Sequence, residues 1–248
     1  MRHWLIIVLF IHGTYLFAEK TYSLDTAVNE INLKNYCYHF EDTTNVLSIN
    51  QVLNQKWQKL DKNPTFPSNK YVQWLRYNFY NPYNTNLVRI IFIPYHLIHE
   101  IDVYTVSDSS IINISSTGIK RPYGDKHIKS IGYPVRIELK THQTISVIIR
   151  LKHLYRPLRA STYLLTEQRV VDVILNNNNL IWFWRGVLLF AIFISLVIYI
   201  SVKLKLFLYY FFLNVGFGIF IASQIGDYFL FFNIDSTDIT SLIDFTGA

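Results

Sequence analysis

The sequence predicts a mainly β head, an antiparallel jelly roll or β-sandwich with one short helix, followed by transmembrane α-helices. Two observations support this prediction. Between residues 19 and 172, short segments alternate apolar and polar side chains and are separated by turn residues, which is the pattern of half-buried strands. Between residues 180 and 225, two apolar blocks flank the basic turn 203–205. The expected organisation is therefore a head and then a membrane region.

Each apolar block is long enough to cross a bilayer as a helix. Residues 186–202 and 206–225 contain no charged side chain, and a helix of about 20 residues spans the hydrocarbon core of about 30 Å. Aromatic residues at the ends of the blocks, such as Trp182 and Tyr209, are typical of the membrane interface. The sequence predicts helices over about 180–202 and 206–225 and a third from about 239. The apolar residues among 170–175 leave open an earlier start of the first helix. A buried helix pair of a soluble protein is the alternative.

Residues 1–18 have the features of a secretory signal peptide. Arg2 precedes an apolar core, and the small Ala18 ends the segment. Leu16 stands where a small residue is preferred before a cleavage site, so an uncleaved anchor is the alternative. In both cases the head, residues 19–172, is expected outside the cytoplasm, with the turn 203–205 inside and residues 173–248 forming a helical membrane domain.

The head is expected to contain short strands and one helix. Residues 49–60 place apolar side chains at helical intervals, which predicts an amphipathic helix that closes one end of the sandwich. Several segments are rich in β-branched and aromatic residues or alternate strictly in polarity. The predicted strands are residues 71–78, 87–93, 101–106, 111–115, 135–140, 145–151 and 161–166.

Composition excludes several classes of function. The net charge is +6, but lysine and arginine are scattered, so no nucleic-acid surface is expected. The single cysteine, Cys37, rules out an intramolecular disulfide. P-loop, nucleophile-elbow and dinucleotide motifs are absent from the sequence, which predicts a protein that is not an enzyme and has no cofactor. His96, His99 and Glu100 do not match a zinc motif, so we expect no metal site and a surface turn with solvated histidines.

Candidate ligand-binding residues lie on one strand and in two loops. Trp74, Arg76 and Asn78 would share a strand face, where an aromatic ring, a guanidinium and an amide suit a sugar or a carboxylate. Core packing of Trp74, with Arg76 and Asn78 bonded to neighbouring loops, is the alternative. Loops at the ends of a sandwich diverge without disturbing the core. The loop candidates, which lie close to prolines, are Arg121, Tyr123, Tyr155 and Arg156.

Short motifs along the chain resemble a family of bacterial receptors. They include YCYHFED at residues 36–42, WLRYNFYN at 74–81, YPV at 133–135 and FWRG at 183–186. These blocks are similar to the second type of extracellular domain of bacterial seven-transmembrane receptors with diverse intracellular signalling modules. The resemblance implies a jelly-roll sensor for carbohydrate-like or other small ligands, seven helices in the bacterial inner membrane, and a cytoplasmic output module. By analogy, it also implies a homodimer.

Three functions are consistent with these observations. The first is a sensory receptor in which the head binds a small, possibly carbohydrate-like ligand and signals through the helices to an output module missing from this chain. The second is a membrane-anchored binding module without signalling. The third, a carbohydrate-active enzyme of the envelope, lacks a recognisable acid and base pair.

Overall fold

The computed structural model describes residues 19–68, 70–95, 97–107, 110–121, 132–153 and 157–225. In this part of the chain, β-strands form the head and long helices follow it. The strands are β1 (Thr21–Ser23), β2 (Glu30–Asn32), β3 (Cys37–Asp42), β4 (Gln58–Leu60), β5 (Thr65–Phe66), β6 (Val72–Tyr80), β7 (Leu87–Ile93), β8 (Glu100–Ser107), β9 (Ser110–Thr117), β10 (Tyr133–Leu139), β11 (Thr144–Lys152), β12 (Leu158–Arg159) and β13 (Tyr163–Leu165). The helices are the 3₁₀ turn Leu33–Tyr36 and α1 (Ile49–Leu53), α2 (Glu167–Val202) and α3 (Lys205–Ile225).

The larger sheet has the strand order β4-β3-β6-β11-β8-β9, and β1 pairs with β6 beyond the end of β3. Its long strands alternate apolar and polar side chains, which is why one face is buried in the core. Leu75, Tyr77 and Phe79 of β6 point inward, while Trp74 and Arg76 lie on the outer face. Apart from the parallel β1, all pairings in this sheet are antiparallel.

The smaller sheet has the order β10-β7-β13-β2 and packs face to face with the larger one. Ile91 and Ile93 of β7 contribute to the core between the sheets together with Ile149 and other residues of the larger sheet. Ile90 and Phe92, on the opposite face of β7, are buried as well. The smaller sheet is therefore covered on both faces, by the larger sheet on one side and by α2 on the other. A mainly β head followed by an apolar helix is confirmed, whereas the jelly-roll connectivity stays a prediction.

The predicted helix 49–60 begins where expected, at Ile49, but the prediction is wrong about its length and about the surface that it covers. Only Ile49–Leu53 is helical, with a capping box between Ser48 and Gln51, and residues 58–60 form β4 on the edge of the larger sheet. Val52 of α1 is fully buried in a cluster with Val72 and Trp74. Helix α1 consequently covers part of the outer face of the larger sheet and does not close an end of the sandwich.

Helix α2 connects the head to the membrane region without a break. Its N-cap, Thr166, directly follows β13 and accepts a hydrogen bond from the Arg169 backbone amide. Val170 is 3% exposed and packs in a cluster with Ile90 and Phe92 of the smaller sheet. The helix was predicted to begin near residue 180, but it starts 13 residues earlier, at Glu167, because its first turns bury apolar side chains against the head.

Helix α3 returns antiparallel to α2 after a tight turn. Lys203 ends α2 in the left-handed conformation, with φ of 57°. A Cβ atom on Gly218 would lie 2.8 Å from Leu188 Cδ2, so the helices pack closely there. By length and composition, α2 is able to cross a bilayer. Helix α3 is apolar over Lys205–Ile221. A second span stays a prediction, and the third lies outside the described residues.

Candidate functional site

The outer face of the larger sheet carries a charged group that chain order does not reveal. The sheet places β11 between β6 and β8, so that Arg150 lies opposite Trp74 on one side and Asp102 on the other. Side chains directly opposite each other on antiparallel strands lie within contact distance. One row across three strands therefore combines an aromatic ring, a guanidinium and a carboxylate.

Arg150 is the centre of an ion-pair network. It donates to Glu100 Oε2 at 3.1 Å and to Asp102 Oδ2 at 3.0 Å. Arg121 approaches the other oxygen of Asp102, with NH1 2.8 Å from Oδ1, and Ser116 also donates to that oxygen at 2.9 Å. Asp102 thus accepts three hydrogen bonds, and its side chain is only 7% exposed. This network fixes the side chains of β8 and β11 and the start of the loop after β9.

The electrostatics of this face follow from burial and from the paired charges. Burial alone would lower the pKa of Arg150, but its hydrogen bonds to Glu100 and Asp102 outweigh burial and raise that pKa. Burial, followed by the charge of Asp102, raises the pKa of Tyr104. The tyrosine hydroxyl therefore stays protonated, and the guanidinium stays charged at neutral pH.

Aromatic rings lie beside the charges. Trp74 and Tyr104 stack with ring centroids 6.4 Å apart, and Tyr104 is half-buried at the boundary of the cluster under α1. Trp74 is 1% exposed, and its indole Nε1 has no hydrogen-bond partner among the described residues. The face of Trp74 is therefore covered in this structure, and Tyr104 is the ring that reaches solvent.

A second polar group lies further along the same face, at Arg76. Arg76 NH1 contacts Glu19 Oε1 at 3.1 Å, and Asn78 Nδ2 donates to Glu19 Oε2 at 2.8 Å. Ser146 of the neighbouring strand donates to Asn78 Oδ1 at 2.7 Å and orients that amide. The Arg76 guanidinium also lies over the Trp57 ring, 5.8 Å from its centroid.

The structure brings three of the predicted ligand residues onto one face of the larger sheet. Trp74 and Arg76 are two residues apart on β6, and Arg121 reaches the same face through Asp102. The remaining three candidates, Tyr123, Tyr155 and Arg156, lie outside the described residues. Whether any of these six residues binds a ligand stays a prediction.

Sequence reasoning missed several residues of this face: Glu19, Glu100, Asp102, Tyr104 and Arg150. The alternation of β8 and β11 was visible and placed their polar side chains opposite the core. The sequence did not show that β6, β11 and β8 are neighbours, because their order in the sheet differs from their order along the chain. Without it, the polar faces of three strands do not combine into one site.

The histidine prediction needs a correction. His99 is not solvated in a surface turn but is 5% exposed, and its Nδ1 lies 3.0 Å from Nδ1 of the equally buried His153. This contact joins the segment before β8 to the segment after β11. His96 lies outside the described residues. No group of three or more potential metal ligands is found in the part of the chain that the structure describes.

The fold defines a class of protein: a β-sandwich head followed by a continuous helix that is long and apolar enough to cross a membrane. The family model "7TMR-DISM extracellular 2" matches residues 34–166, which is just over half of the chain. The chain belongs to this family of extracellular domains of bacterial-type seven-transmembrane receptors, and it is a membrane receptor or sensor protein. No curated protein matches the sequence.

Proposed function

We propose that this chain is the sensory part of a membrane receptor, in which the head binds a small, carbohydrate-like ligand and passes the signal through α2. One observation carries this proposal: α2 is a single helix whose first turns are buried against the smaller sheet and whose later part is apolar enough to cross a bilayer. A shift of the sheet is therefore a shift of the helix. The signal passes from α2 to a cytoplasmic output module.

The outer face of the larger sheet supports the choice of ligand. Sugars present hydroxyl groups that both donate and accept hydrogen bonds, together with apolar ring faces that pack on aromatic rings. The network around Arg150, Glu100 and Asp102 offers donors and acceptors, and Tyr104 offers a ring beside them. We infer that the head acts by binding and not by catalysis.

The proposal extends to the surroundings of the protein. We infer that the head lies in the periplasm or outside the cell, that α2 crosses the bacterial inner membrane, and that the turn 203–205 faces the cytoplasm. We also propose a homodimer. Large apolar side chains along α2 and α3, such as Phe190 and Phe212, are more than 60% exposed, so lipid, further helices or a second copy must cover them.

Thermal unfolding of the full chain in lipid nanodiscs, with a panel of sugars and metabolites, tests ligand binding. A ligand that binds only the folded head raises its melting temperature. The Arg150→Gln variant should lose that stabilisation, because it removes the central donor of the network. The Arg136→Gln variant is the matched control, since Arg136 lies on the smaller sheet with a side chain 58% exposed.

Hydrogen exchange with the same ligand tests transmission. The receptor proposal expects changed exchange in residues 167–175 of α2, where the helix packs on the sheet. A ligand that stabilises the head but leaves this segment unchanged would favour a binding module that is merely anchored in the membrane. If no sugar or metabolite of the panel raises the melting temperature of the head, the proposed ligand class is contradicted.

A further inference from the structure

Arg76 and Asn78 hold a carboxylate in this structure, and that carboxylate belongs to the chain itself. Glu19 accepts from Arg76 NH1 through one oxygen and from Asn78 Nδ2 through the other. The side chains of Arg76 and Glu19 are 21% and 29% exposed, so solvent reaches the contact. The arrangement has the chemistry of a carboxylate-binding site, with a guanidinium and an amide on opposite oxygens.

Two further donors, one on Arg76 and one on the Trp57 ring that the guanidinium covers, are not used by this carboxylate. Arg76 Nε and Trp57 Nε1 are buried and have no hydrogen-bond partner among the described residues. A buried donor without an acceptor costs about 1–3 kcal/mol, so sites of this kind are usually completed by water or a ligand. A carboxylate that binds Arg76 through both Nε and a terminal nitrogen would satisfy one of these donors. An adjacent hydroxyl group could accept from Trp57.

The segment that supplies Glu19 is held beyond that residue, by a hydrogen bond from the Lys20 amide to the Tyr38 hydroxyl and by β1. Strand β1, which follows Glu19, has three residues and pairs with β6 only at residues 78–80. Glu19 itself has three rotatable side-chain bonds, so its carboxylate can leave Arg76 while β1 stays paired. Asn78, in contrast, is 6% exposed and is oriented by Ser146. The donors are therefore fixed, and the acceptor is exchangeable.

We propose that Arg76, Asn78 and Trp57 form a subsite for the carboxylate of a small ligand, and that Glu19 occupies it in the free protein. This inference rests on the proposed function, because it names a chemical group of the ligand that the head binds. A tethered carboxylate competes at an effective concentration of about millimolar or more. The ligand therefore binds tightly only when its other groups contribute as well.

Calorimetric titration of the full chain in nanodiscs tests the subsite, with D-glucuronate as the probe and D-glucose as its neutral match. Wild-type protein should bind glucuronate weakly. Glu19→Gln should bind it about tenfold more tightly, because the competing charge is gone. The double variant Glu19→Gln/Arg76→Gln should bind glucuronate about tenfold or more weakly than Glu19→Gln, since it lacks the guanidinium. This double variant leaves no unpaired charge behind. Affinity for glucose should be the same in all three proteins.

Glu19→Ala provides a second variant if Glu19→Gln folds poorly, and its melting temperature reports whether the head is intact. The indole ¹⁵N–¹H resonance of Trp57, assigned with Trp57→Phe, should shift with glucuronate and not with glucose. Equal affinity of the Glu19 variants and the wild type, or glucuronate binding that survives loss of Arg76, overturns the subsite. Such a result leaves the receptor proposal intact when another compound of the panel binds and alters α2. The receptor proposal falls if no compound of the panel binds, or if a compound that binds leaves hydrogen exchange in residues 167–175 unchanged.

Discussion

The backbone of Gly118 passes so close to His99 that a side chain has no room. A Cβ atom on Gly118 would lie 2.3 Å from the His99 carbonyl oxygen, and the glycine has φ of 132°, a conformation that other residues rarely adopt. The contact is fixed by a backbone hydrogen bond from Lys120 to His99 at 3.0 Å. It brings the chain after β9 back across β8, from where Arg121 reaches Asp102.

Gly118→Ala should therefore destabilise the head. We expect a loss of about 3 kcal/mol or more from backbone strain and overlap, and a melting temperature lower by about 6–12 °C. The measurement is thermal unfolding of the full chain in detergent micelles. Gly216→Ala is the control, because nothing lies within 4 Å of its added Cβ. Equal melting temperatures for the two variants would show that the turn after β9 relaxes freely.

Arg150 should contribute more to stability than Arg121. Among the described residues, Arg150→Gln leaves Glu100 with Lys152 alone, at 3.7 Å, and removes one of the two cations that contact Asp102. We expect a cost of about 2 kcal/mol, below that of a fully buried pair because the Arg150 side chain keeps 18% exposure. Arg121→Gln should cost about 1 kcal/mol or less. Denaturant unfolding of both variants and of the double variant checks this, since the shared Asp102 makes the two effects non-additive.

His39 should make the head less stable in mild acid. Burial lowers the pKa of His39, although its hydrogen bond to Gln73 at 2.6 Å opposes that effect. Between the ordinary histidine pKa of about 6.5 and the lower folded value, the unfolded chain binds more protons than the folded one. The free energy of unfolding should therefore fall as the pH drops below about 6.5.

The His39→Gln variant isolates this contribution, because glutamine keeps a polar partner for Gln73 without titrating. Its unfolding free energy should depend less on pH between 7 and 5 than that of the wild type. The comparison uses the slope of the unfolding free energy against pH. Absolute stabilities are not compared, since the variant also loses the stacking of His39 on Phe66. A variant slope equal to that of the wild type would argue against a neutral, buried His39.

The single cysteine should be inert, which makes membrane orientation easy to measure. Burial raises the pKa of Cys37 to about 12, so almost no thiolate forms near pH 7.5. An impermeant maleimide should leave the wild type unlabelled. Ile112→Cys, on β9 at a position 56% exposed, should react in spheroplasts with intact membranes. Lys203→Cys should react only after permeabilisation, and the reverse pattern would place the head inside.

Val170 should couple the head to α2. Val170→Asp places a carboxylate in the cluster of Ile90, Phe92 and Leu165, where an unpaired charge is strongly unfavourable. The first turns of α2 should detach, with faster hydrogen exchange in residues 167–175 and little change in the core between the sheets. Val171→Asp is a close control, because Val171 is the next residue on the same helix and is 49% exposed. Faster exchange in both variants would mean that this contact is not specific.

Local patterns predicted the strands well because each pattern reports one buried face. Strand β7 has the predicted bounds, 87–93, and β11 extends the predicted 145–151 by one residue at each end. The prediction of a helix over 49–60 failed because the periodic pattern that suggested it belongs to two different elements. Val52 and Trp57 are both partly or fully buried, but α1 holds the first and the segment before β4 holds the second, so one periodic pattern served two different elements.

Long-range neighbours were beyond the reach of the sequence. Glu19 and Arg76 are 57 residues apart and meet only because β1 continues the edge of β6 that β3 leaves. His99 and His153 are 54 residues apart and meet next to the last residue pair of the neighbouring strands β8 and β11. The chemistry of Arg76 and its position on a strand face predicted it as a ligand residue. Its contact with Glu19 could not be predicted from the sequence.

The length of helix α2 has a mechanical consequence at the end that lies far from the head. A rod of 36 residues is about 54 Å long, and its outer end is clamped by Val170 and by the ion pair of Arg169 with Glu30. A tilt of about 5° at that clamp would swing the far tip sideways by about 5 Å, comparable to the 5.4 Å pitch of an α-helix. A small rotation of the smaller sheet that carries α2 with it is thus enough to move a protein in contact with the far tip of the helix.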